Sequence, residues 1–580
     1  MEGLLLRETF TATASEDFKK NRMIGARYID KTPLLATLLD VDHETTFFLR
    51  PRRFGKTLTL SMIRYFIEDT RDPALNEENR AVFQGLKILE MGEKYTSQMT
   101  SYPVINLTLQ AVGGDAFENG YRRLIFLIQQ LYREKKYLLE SEHLDEADKR
   151  YFYSIMTGYE APEWLKKTAP DDYVFALQKL TEFLRKDSGK RAVVLIDEYD
   201  VPLEKAYRNG YYRQMVNLIG PMLQNVLKTN SQNLQFAVIT GCLRIAKEGI
   251  YTGLNNPEIN TVYSKRLSDA IGFTEPEVRK LLTDSGFPDH FDEVKEWYDG
   301  YRFGETTIYN PWSVIKHIED LTADSKSCPM LYWKGTSGNA IIRELADHAD
   351  EATREKAERL VQGGEITFKL KDDIVYDDLF REPDNVFNVM LAAGYLTATA
   401  YDGSEVRARI PNREVRTIYT EKFSEWFRES ISTFNIRELY AAMEVGDTGR
   451  IQKILNRCFL STMSYYDTVE AFYHGVMLTL MQLNREYRCE SNRESGSGRF
   501  DIQCKQRIDW ELAYVLEFKV SKSMGDLQRD AEKAAEQIQE KEYVSNLQVE
   551  GYEKIMTYGF AFCEKRCAVV MGKTYERQRN

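Results

Sequence analysis

The chain has 580 residues, 43% hydrophobic and 29% charged, with a formal net charge of −11. This length exceeds a single hydrophobic core and predicts about three or more domains, while the ordinary globular balance excludes wholesale disorder. No apolar run is long enough to span a bilayer, and the N-terminal MEGLLLRETF lacks the basic start and long apolar core of a secretory signal, so a cytoplasmic protein with no membrane partner is expected. The seven cysteines are scattered and form no CxxC pair, which argues against a zinc ribbon or a disulfide framework. The six histidines (His43, His143, His290, His317, His348, His474) are equally dispersed, so any metal is expected on carboxylates. The acidic balance gives no bulk attraction to nucleic acid but is compatible with a local basic groove.

In chain order, TTFFL at 45–49 predicts a strand, RPRRFGKT a loop, and TLTLSMIRYFIEDT a helix by its periodicity. PVINLTL at 103–109 predicts a second strand, and residues 115–190 read mostly as helices. RAVVLIDEYD at 191–200 holds a continuous apolar run that suits a parallel strand buried on both faces, and LQFAVITG at 234–241 repeats it. Strands alternating with helices predict an α/β domain with a mostly parallel sheet. Past about residue 270, Thr274 precedes Glu-Pro-Glu as a helix cap. Residues 340–365 read as a charged helical stretch. DNVFNVMLAAGYLTATAYDGSEVRARIPN then reads as helix, glycine stop and a hairpin turning at Asp402-Gly403, in the manner of a winged helix. Residues 435–460 are helical. From about 465 a helix leads into short strands at RFDIQCK and LAYVLEFKV, a polar helix, and a last strand pair in GFAFCEKRCAVVM.

The generic phosphate-binding loop is G-x-x-x-x-G-K-[ST]. Gly55, Lys56 and Thr57 supply its end, and Arg50 stands where the first glycine is expected. Lys56 would neutralise phosphate charge, Thr57 would offer its hydroxyl to Mg²⁺, and the amides around Gly55 sit at a helix N-terminus that favours anions. The apolar strand 193–196 ends in Asp197 and Glu198. Asp197 is suited to hold magnesium, and Glu198 to orient or deprotonate an attacking water. The plainer alternative is a buried strand ending at solvent, where acids are common. Arg244, just past the third strand, is either a γ-phosphate sensor or a surface arginine.

Near the C-terminus, Asp501 falls in one strand, and Glu517 and Lys519 fall two apart in the next, so the latter two share a face. A hairpin would bring Asp501 beside Glu517, and paired carboxylates call for a shared cation such as Mg²⁺ or Mn²⁺. With Lys519 alongside, this constellation suits metal-assisted phosphodiester hydrolysis. The alternative is a cross-strand salt bridge. Glu470 and His474 lie on the preceding helix, where each either faces the site or, as the simpler reading, sits on the helix surface.

The segments YIDKTPLL, RPRRFGKTLTLSM, LIDEYDVPL, TGCLRIAKEGIYTGLNN and WYDGYRFG…IYNPWSV, together with ESGSGRFD and LEFKV, resemble the AAA-ATPase-like proteins that carry a C-terminal PD-(D/E)xK nuclease domain, relatives of the STAND and archaeal ATPases. The resemblance spans nearly the whole chain, and RPRRFGKT is that family's form of the loop. It implies an α/β architecture: a P-loop NTPase parallel sheet flanked by helices (1–270), a helical lid or linker (271–370), a winged-helix-like and helical region (371–464), and a C-terminal α/β nuclease-like domain (465–580). It implies ATP bound by Arg53, Phe54, Gly55, Lys56, Thr57, Asp197 and Arg244, with Thr57 and Asp197 toward Mg²⁺, Glu198 catalytic, and Asp30 and Lys31 near the base. It also carries over Asp501, Glu517 and Lys519 as nuclease residues, the two carboxylates as metal ligands, with Glu494 and Gln537 as accessory positions.

The expected partner is nucleic acid, DNA ahead of RNA, and Arg407 and Arg409 are either contacts to its backbone or solvated hairpin charges. Homo-oligomerisation, with Arg266 as an arginine finger, fits P-loop ATPases of this kind. The alternative function is a STAND-like regulatory NTPase switch whose nuclease fold serves for docking.

Overall fold

The apolar runs of the first half of the chain assemble into one sheet. The structure is a computed structural model; it describes residues 15–40, 44–158, 170–244, 257–333, 353, 356–357, 359–360, 363–371, 382–419, 436–462, 470–491, 494–495, 498–508, 510–564 and 566–577. Strands β1 (Thr45–Leu49), β2 (Val104–Thr108), β3 (Ala192–Asp197), β4 (Leu234–Gly241) and β5 (Glu258–Asn260) run parallel in the order β2-β3-β4-β1-β5. β1 and β3 are buried along their whole length. That is why neither alternates: a strand covered on both faces needs apolar side chains on both. Phe47 and Phe48, both fully buried, each contribute on the order of 2 kcal/mol by leaving water. Helix α1 (Lys56–Ile67) starts directly after Gly55, whose φ of +95° lies in the left-handed region that disfavours a side chain.

The chain splits into two compact units, Met1–Ile341 with Glu365–Ile418, and Ile342–Gly364 with Tyr419–Asn580. The residues read as a lid (271–370) and as a winged-helix-like region (371–464) are thus shared between the units. In the first unit, Thr274 and Glu277 form a capping box that starts helix α2 (Glu275–Ser285), with Pro276 in the first turn. Helices α3 (Phe291–Tyr298) and α4 (Pro311–Ala323) join it around Val278, Leu282, Val294, Tyr298, Val314 and Ile318. Beside them β6 (Phe273–Thr274), β7 (Tyr301–Phe303) and β8 (Thr306–Tyr309) form a small antiparallel sheet. Strand β9 (Ile366–Lys369) pairs with a hairpin of β10 (Thr397–Tyr401) and β11 (Glu405–Arg409). The hairpin follows helix α5 (Pro383–Ala393), which stops at left-handed Gly394. This is the helix, glycine stop and hairpin read from the sequence. Most of the expected helical stretch 340–365, and residues 245–256 of the TGCLRIAKEGIYTGLNN segment, lie outside the described residues.

The second unit builds helices α6 (Ile436–Glu444), α7 (Thr448–Thr462) and α8 (Glu470–Gln482) before its sheet. That sheet contains β12 (Tyr487–Ser491), then, after a short β13–β14 hairpin (Glu494–Ser495, Gly498–Arg499), β15 (Ile502–Gln506), β16 (Leu512–Val520), β17 (Lys554–Cys563) and β18 (Arg566–Glu576). The order is β12-β15-β16-β17-β18, parallel only between β16 and β17. Period-two alternation divides β16 cleanly. Tyr514, Leu516 and Phe518 enter a core with Leu439, Phe459 and Tyr473. Ala513 and Val515 pack with Ile538 of helix α9 (Leu527–Glu540) on the other face, the face that Glu517 shares by its register. α9 lies against the sheet because Gly559, paired with Glu517, has no side chain: a Cβ there would sit 2.2 Å from the Ala531 carbonyl oxygen and 2.3 Å from the Ala535 nitrogen. Among the described residues no helix is long and apolar enough to cross a membrane.

One buried acid ties the first unit together. Glu414 is fully buried, accepts from the Trp333 amide and the Ser313 hydroxyl, both at 2.8 Å, and is pushed up by burial to about 7. A raised carboxyl favours folding while it is protonated, so its contribution is complete below the ordinary value near 4.5 and is lost as pH rises through about 7. Glu414→Gln can accept the Trp333 amide on its oxygen and donate its NH₂ to the Ser313 hydroxyl oxygen, and it cannot ionise. It should gain on wild type by about 3 kcal/mol between pH 5 and 8, measured as the pH dependence of urea unfolding; a constant difference would exclude this account. In the second unit, Gly559→Ala should lower the melting temperature through an overpacking cost of about 1–3 kcal/mol, read by calorimetry.

Candidate active sites

Two clusters of charged side chains occupy the positions that the sequence singles out. The first lies where β1, β3 and β4 end. Thr57 Oγ1, on the first turn of α1, donates to Asp197 Oδ2 at 2.6 Å, and the Thr240 hydroxyl at the end of β4 donates to the other carboxylate oxygen. Asp197 is 6% exposed. Burial and the neighbouring Glu198 raise its pKa, against the pull of the two hydroxyls and Lys56. Lys56 is equally enclosed. Its Nζ lies 3.3 Å from Glu198 and donates to the Arg50 and Pro51 carbonyls at 3.1 and 3.2 Å. Burial works against its charge, and Cys242, Glu198, Asp200 and Asp197 outweigh that, so the net shift is upward.

Glu198 adopts φ +53° and Arg53 φ +70°. Left-handed backbone at residues with side chains costs of order 1 kcal/mol or more and recurs at functional sites. Both residues line a cavity of about 830 Å³, together with Gly55, Lys56, Thr57 and Trp312, a size that suits a nucleotide. Arg53 lies 4.2 Å over the Trp312 ring, and Phe54 is held in the core by Tyr301 and Phe303. The Oε2 of Glu198 is buried without a hydrogen-bond partner among the described residues. A hydroxyl and a carboxylate one hydrogen bond apart offer the hard oxygen donors that Mg²⁺ takes. The left-handed glycine and the helix N-terminus after it offer amides to phosphate. These residues therefore fit Mg·ATP.

Two residues that sequence reading passed over matter here. Arg50, at the place of the missing glycine, is fully buried and donates to the carbonyls of Asn260 and Leu267 at 3.1 and 3.2 Å, with Phe303 at 4.8 Å. Burial pushes its pKa down to about 9. It fastens the loop to β5, work a glycine cannot do. Asp200 Oδ2 accepts the Cys242 and Leu243 amides at 2.9 Å each and thereby locks the exit of β4 to that of β3; burial and Glu198 raise it to about 6. The third acid in IDEYD was the available signal. Other expected residues fall outside this cluster. Arg244 is half-buried past β4 and is not among the described residues that line the cavity. Lys31 lines it while paired with Glu277, Asp30 accepts from the Thr32 and Lys87 amides, and exposed Arg266 pairs with Glu258.

The second cluster lies on β15 and β16. Asp501 sits at the bend just before β15, not inside the strand, and its Oδ2 accepts from the Phe518 amide at 2.7 Å, beside Glu517. Glu517 is 3% exposed. Burial, then Asp501, pushes its pKa up to about 8, against Lys519, whose Nζ is 3.6 Å away. Gln537 of α9 donates to Glu517 Oε1, and Oε2 has no hydrogen-bond partner among the described residues. Two adjacent carboxylates, one with an orphaned buried oxygen, fit a hard divalent cation. His474 is not the exposed helix residue expected: it is half-buried, with Nε2 3.0 Å from the Asp501 carbonyl oxygen, because α8 packs over this end of the sheet. The side chains of Glu470 and Glu494 lie outside the described residues. In the same unit, Arg488, Lys505 and Arg507 line a groove of about 590 Å³ with Trp510 and Tyr552, whose rings stack at 5.4 Å. Arg407 and Arg409 are exposed on β11, with Arg407 3.9 Å from Glu365.

Both clusters fall within segments that match known families. Residues 13–251 match the family described as "Predicted AAA-ATPase", and residues 468–571 match the PD-(D/E)XK nuclease superfamily. The chain is 24% identical over 563 residues to a protein of Azotobacter chroococcum mcd 1 described as "Uncharacterized protein in vnfD 5'region", across 94% of each. The chain thus joins an AAA-ATPase-like domain to a C-terminal domain of the PD-(D/E)XK nuclease superfamily.

Proposed function

We propose that this protein binds and hydrolyses ATP in its N-terminal domain and uses that cycle to govern a metal-dependent nuclease in its C-terminal domain, acting on nucleic acid, DNA ahead of RNA. The observation that carries the first half is the Thr57–Asp197 hydrogen bond of 2.6 Å beside Lys56. Lys56 sets positive charge against the β- and γ-phosphate oxygens. Thr57 and Asp197 would hold Mg²⁺, which supplies charge neutralisation at the phosphates. Glu198, which lines the same cavity and keeps a buried oxygen without a hydrogen-bond partner among the described residues, orients the attacking water and takes its proton.

In the second half, Asp501 and Glu517 would hold Mg²⁺ or Mn²⁺, which supplies Lewis acidity toward a phosphodiester. Lys519 supports the charge that develops on the phosphate. Gln537 and the Phe518 amide fix the two carboxylates in place. The groove also carries Glu490 and Glu550, which pair with Arg488 and Lys505, so Arg507 and the stacked Trp510 and Tyr552 are what suit a base-stacking contact with a strand.

Matched ATPase and nuclease assays test both halves. Lys56→Ala should lose Mg·ATP binding by calorimetry. Glu198→Gln should keep binding while turnover falls about 100-fold or more. Asp501→Asn and Lys519→Ala should each abolish cutting of plasmid and single-stranded DNA in Mg²⁺ or Mn²⁺ and leave ATP turnover unchanged. Chelation should stop both activities. Wild type that turns over ATP yet cuts no substrate would instead favour a regulatory switch with a docking module.

A further inference from the structure

We propose that His290, Glu293 and His317 form a third, unrelated metal site, one for a divalent transition metal of the Zn²⁺ type, in the helical part of the first unit. His290 ends the short turn Pro288–His290 that leads into α3, and Glu293 follows three residues later, which places both on one face. His317 comes from the neighbouring α4. His290 Nδ1 lies 3.0 Å from Glu293 Oε2, and His317 Nε2 lies 3.6 Å from the same oxygen. All three ligand atoms fall within 4.8 Å of one another.

The two contacts to Glu293 Oε2, at 3.0 and 3.6 Å, bracket the spacing a metal requires. Bonds of about 2.0–2.2 Å in a tetrahedron set neighbouring ligand atoms about 3.3 Å apart. Two imidazoles and one carboxylate suit zinc and its neighbours, not the hard cations expected at the other two sites. A second observation points the same way. His317 is fully buried, and neither of its ring nitrogens makes a hydrogen bond. The His290–Glu293 contact alone explains two of the three residues and leaves the buried His317 ring with only the 3.6 Å approach of its Nε2 to Glu293, a costly arrangement. A metal ion on Nε2 would satisfy that nitrogen. Tyr298 packs 5.8 Å from the His317 ring, and Asp320, one turn on, is engaged by the Tyr332 hydroxyl.

The placement gives the ion a mechanical consequence. Trp312 and Ile315 of α4 line the nucleotide cavity. At about 100° per residue they lie more than about 130° round the helix from His317. A metal bound to His317 would pin α4 to α3 from behind and fix the wall that Trp312 presents to Arg53.

The test uses the full chain, stripped with chelator, dialysed, and held in excess Mg²⁺ to occupy hard-oxygen sites. Co²⁺ is titrated as an optical probe and then displaced with Zn²⁺. Wild type should take up one equivalent with the visible absorption of four-coordinate Co²⁺, and one equivalent of Zn²⁺ should remove it. His290→Asn and Glu293→Gln, both at partly exposed positions that spare the core, should weaken uptake at least about tenfold and abolish the rise in melting temperature that Zn²⁺ gives wild type. Cys489→Ser, which removes one of the two adjacent thiols of β12 and β15 (Cys489 and Cys504, Sγ atoms 2.6 Å apart) that form the rival soft-metal pair, should leave the signal unchanged. The proposal fails if wild type gives no such spectrum, if either variant binds as wild type does, or if the signal follows Cys489.

Discussion

Buried charge is tolerable only when an opposite charge or a directed hydrogen bond lies within a few ångströms, and the carboxyl edge of the parallel sheet is built on that constraint. Lys56 is enclosed with Asp197, Glu198 and Asp200 around it, and each acid has its own restraint: two hydroxyls on Asp197, two amides on Asp200, the lysine on Glu198. The loop, both strand exits and the first turn of α1 are mutually positioned because moving any one of them strands a charge. Arg50 extends the same logic outward by satisfying carbonyls that reach from β5 to Leu267. The acids outnumber the lysine, and Glu198 keeps an unsatisfied oxygen, so the cluster is balanced for an added cation and the phosphates it would accompany.

The second unit applies the rule with a different balance. Asp501 and Glu517 face a single nearby cation, Lys519, and burial together with that surplus raises the Glu517 carboxyl. A proton neutralises one negative charge there, whereas a divalent cation would offset both carboxylates at once. The support is specific: Gly559 lets α9 approach, α9 carries Gln537, and Gln537 holds Glu517. A position with no chemistry of its own thereby decides whether a carboxylate is aimed.

Legibility in the sequence followed burial pattern and local chemistry. TTFFL and LQFAVITG became β1 and β4 with the bounds read for them, because continuous apolar runs leave a parallel strand little choice. The capping box at Thr274 and the Asp-Gly hairpin were equally plain, since a few adjacent residues decide them. Glycine-lysine-threonine and the paired acids after β3 were visible as motifs. The place of β4 between them was not, nor were the three-residue β5, the roles of Arg50 and Asp200, or the turn of His474 toward Asp501, for each depends on a partner far away in the chain.

The histidines draw the line most clearly. Counted along the chain they look dispersed, and carboxylates looked like the only metal ligands; in space His290 and His317 converge on Glu293. By itself the sequence determined which segments could be strands or helices and which residue types were available for chemistry, because periodicity, capping and charge are local properties. Tertiary structure alone decided which of those residues meet, which charges are stripped of water, and where a glycine or a buried arginine is indispensable. Distance and solvent exclusion set those energies, and neither is a property of neighbours in sequence.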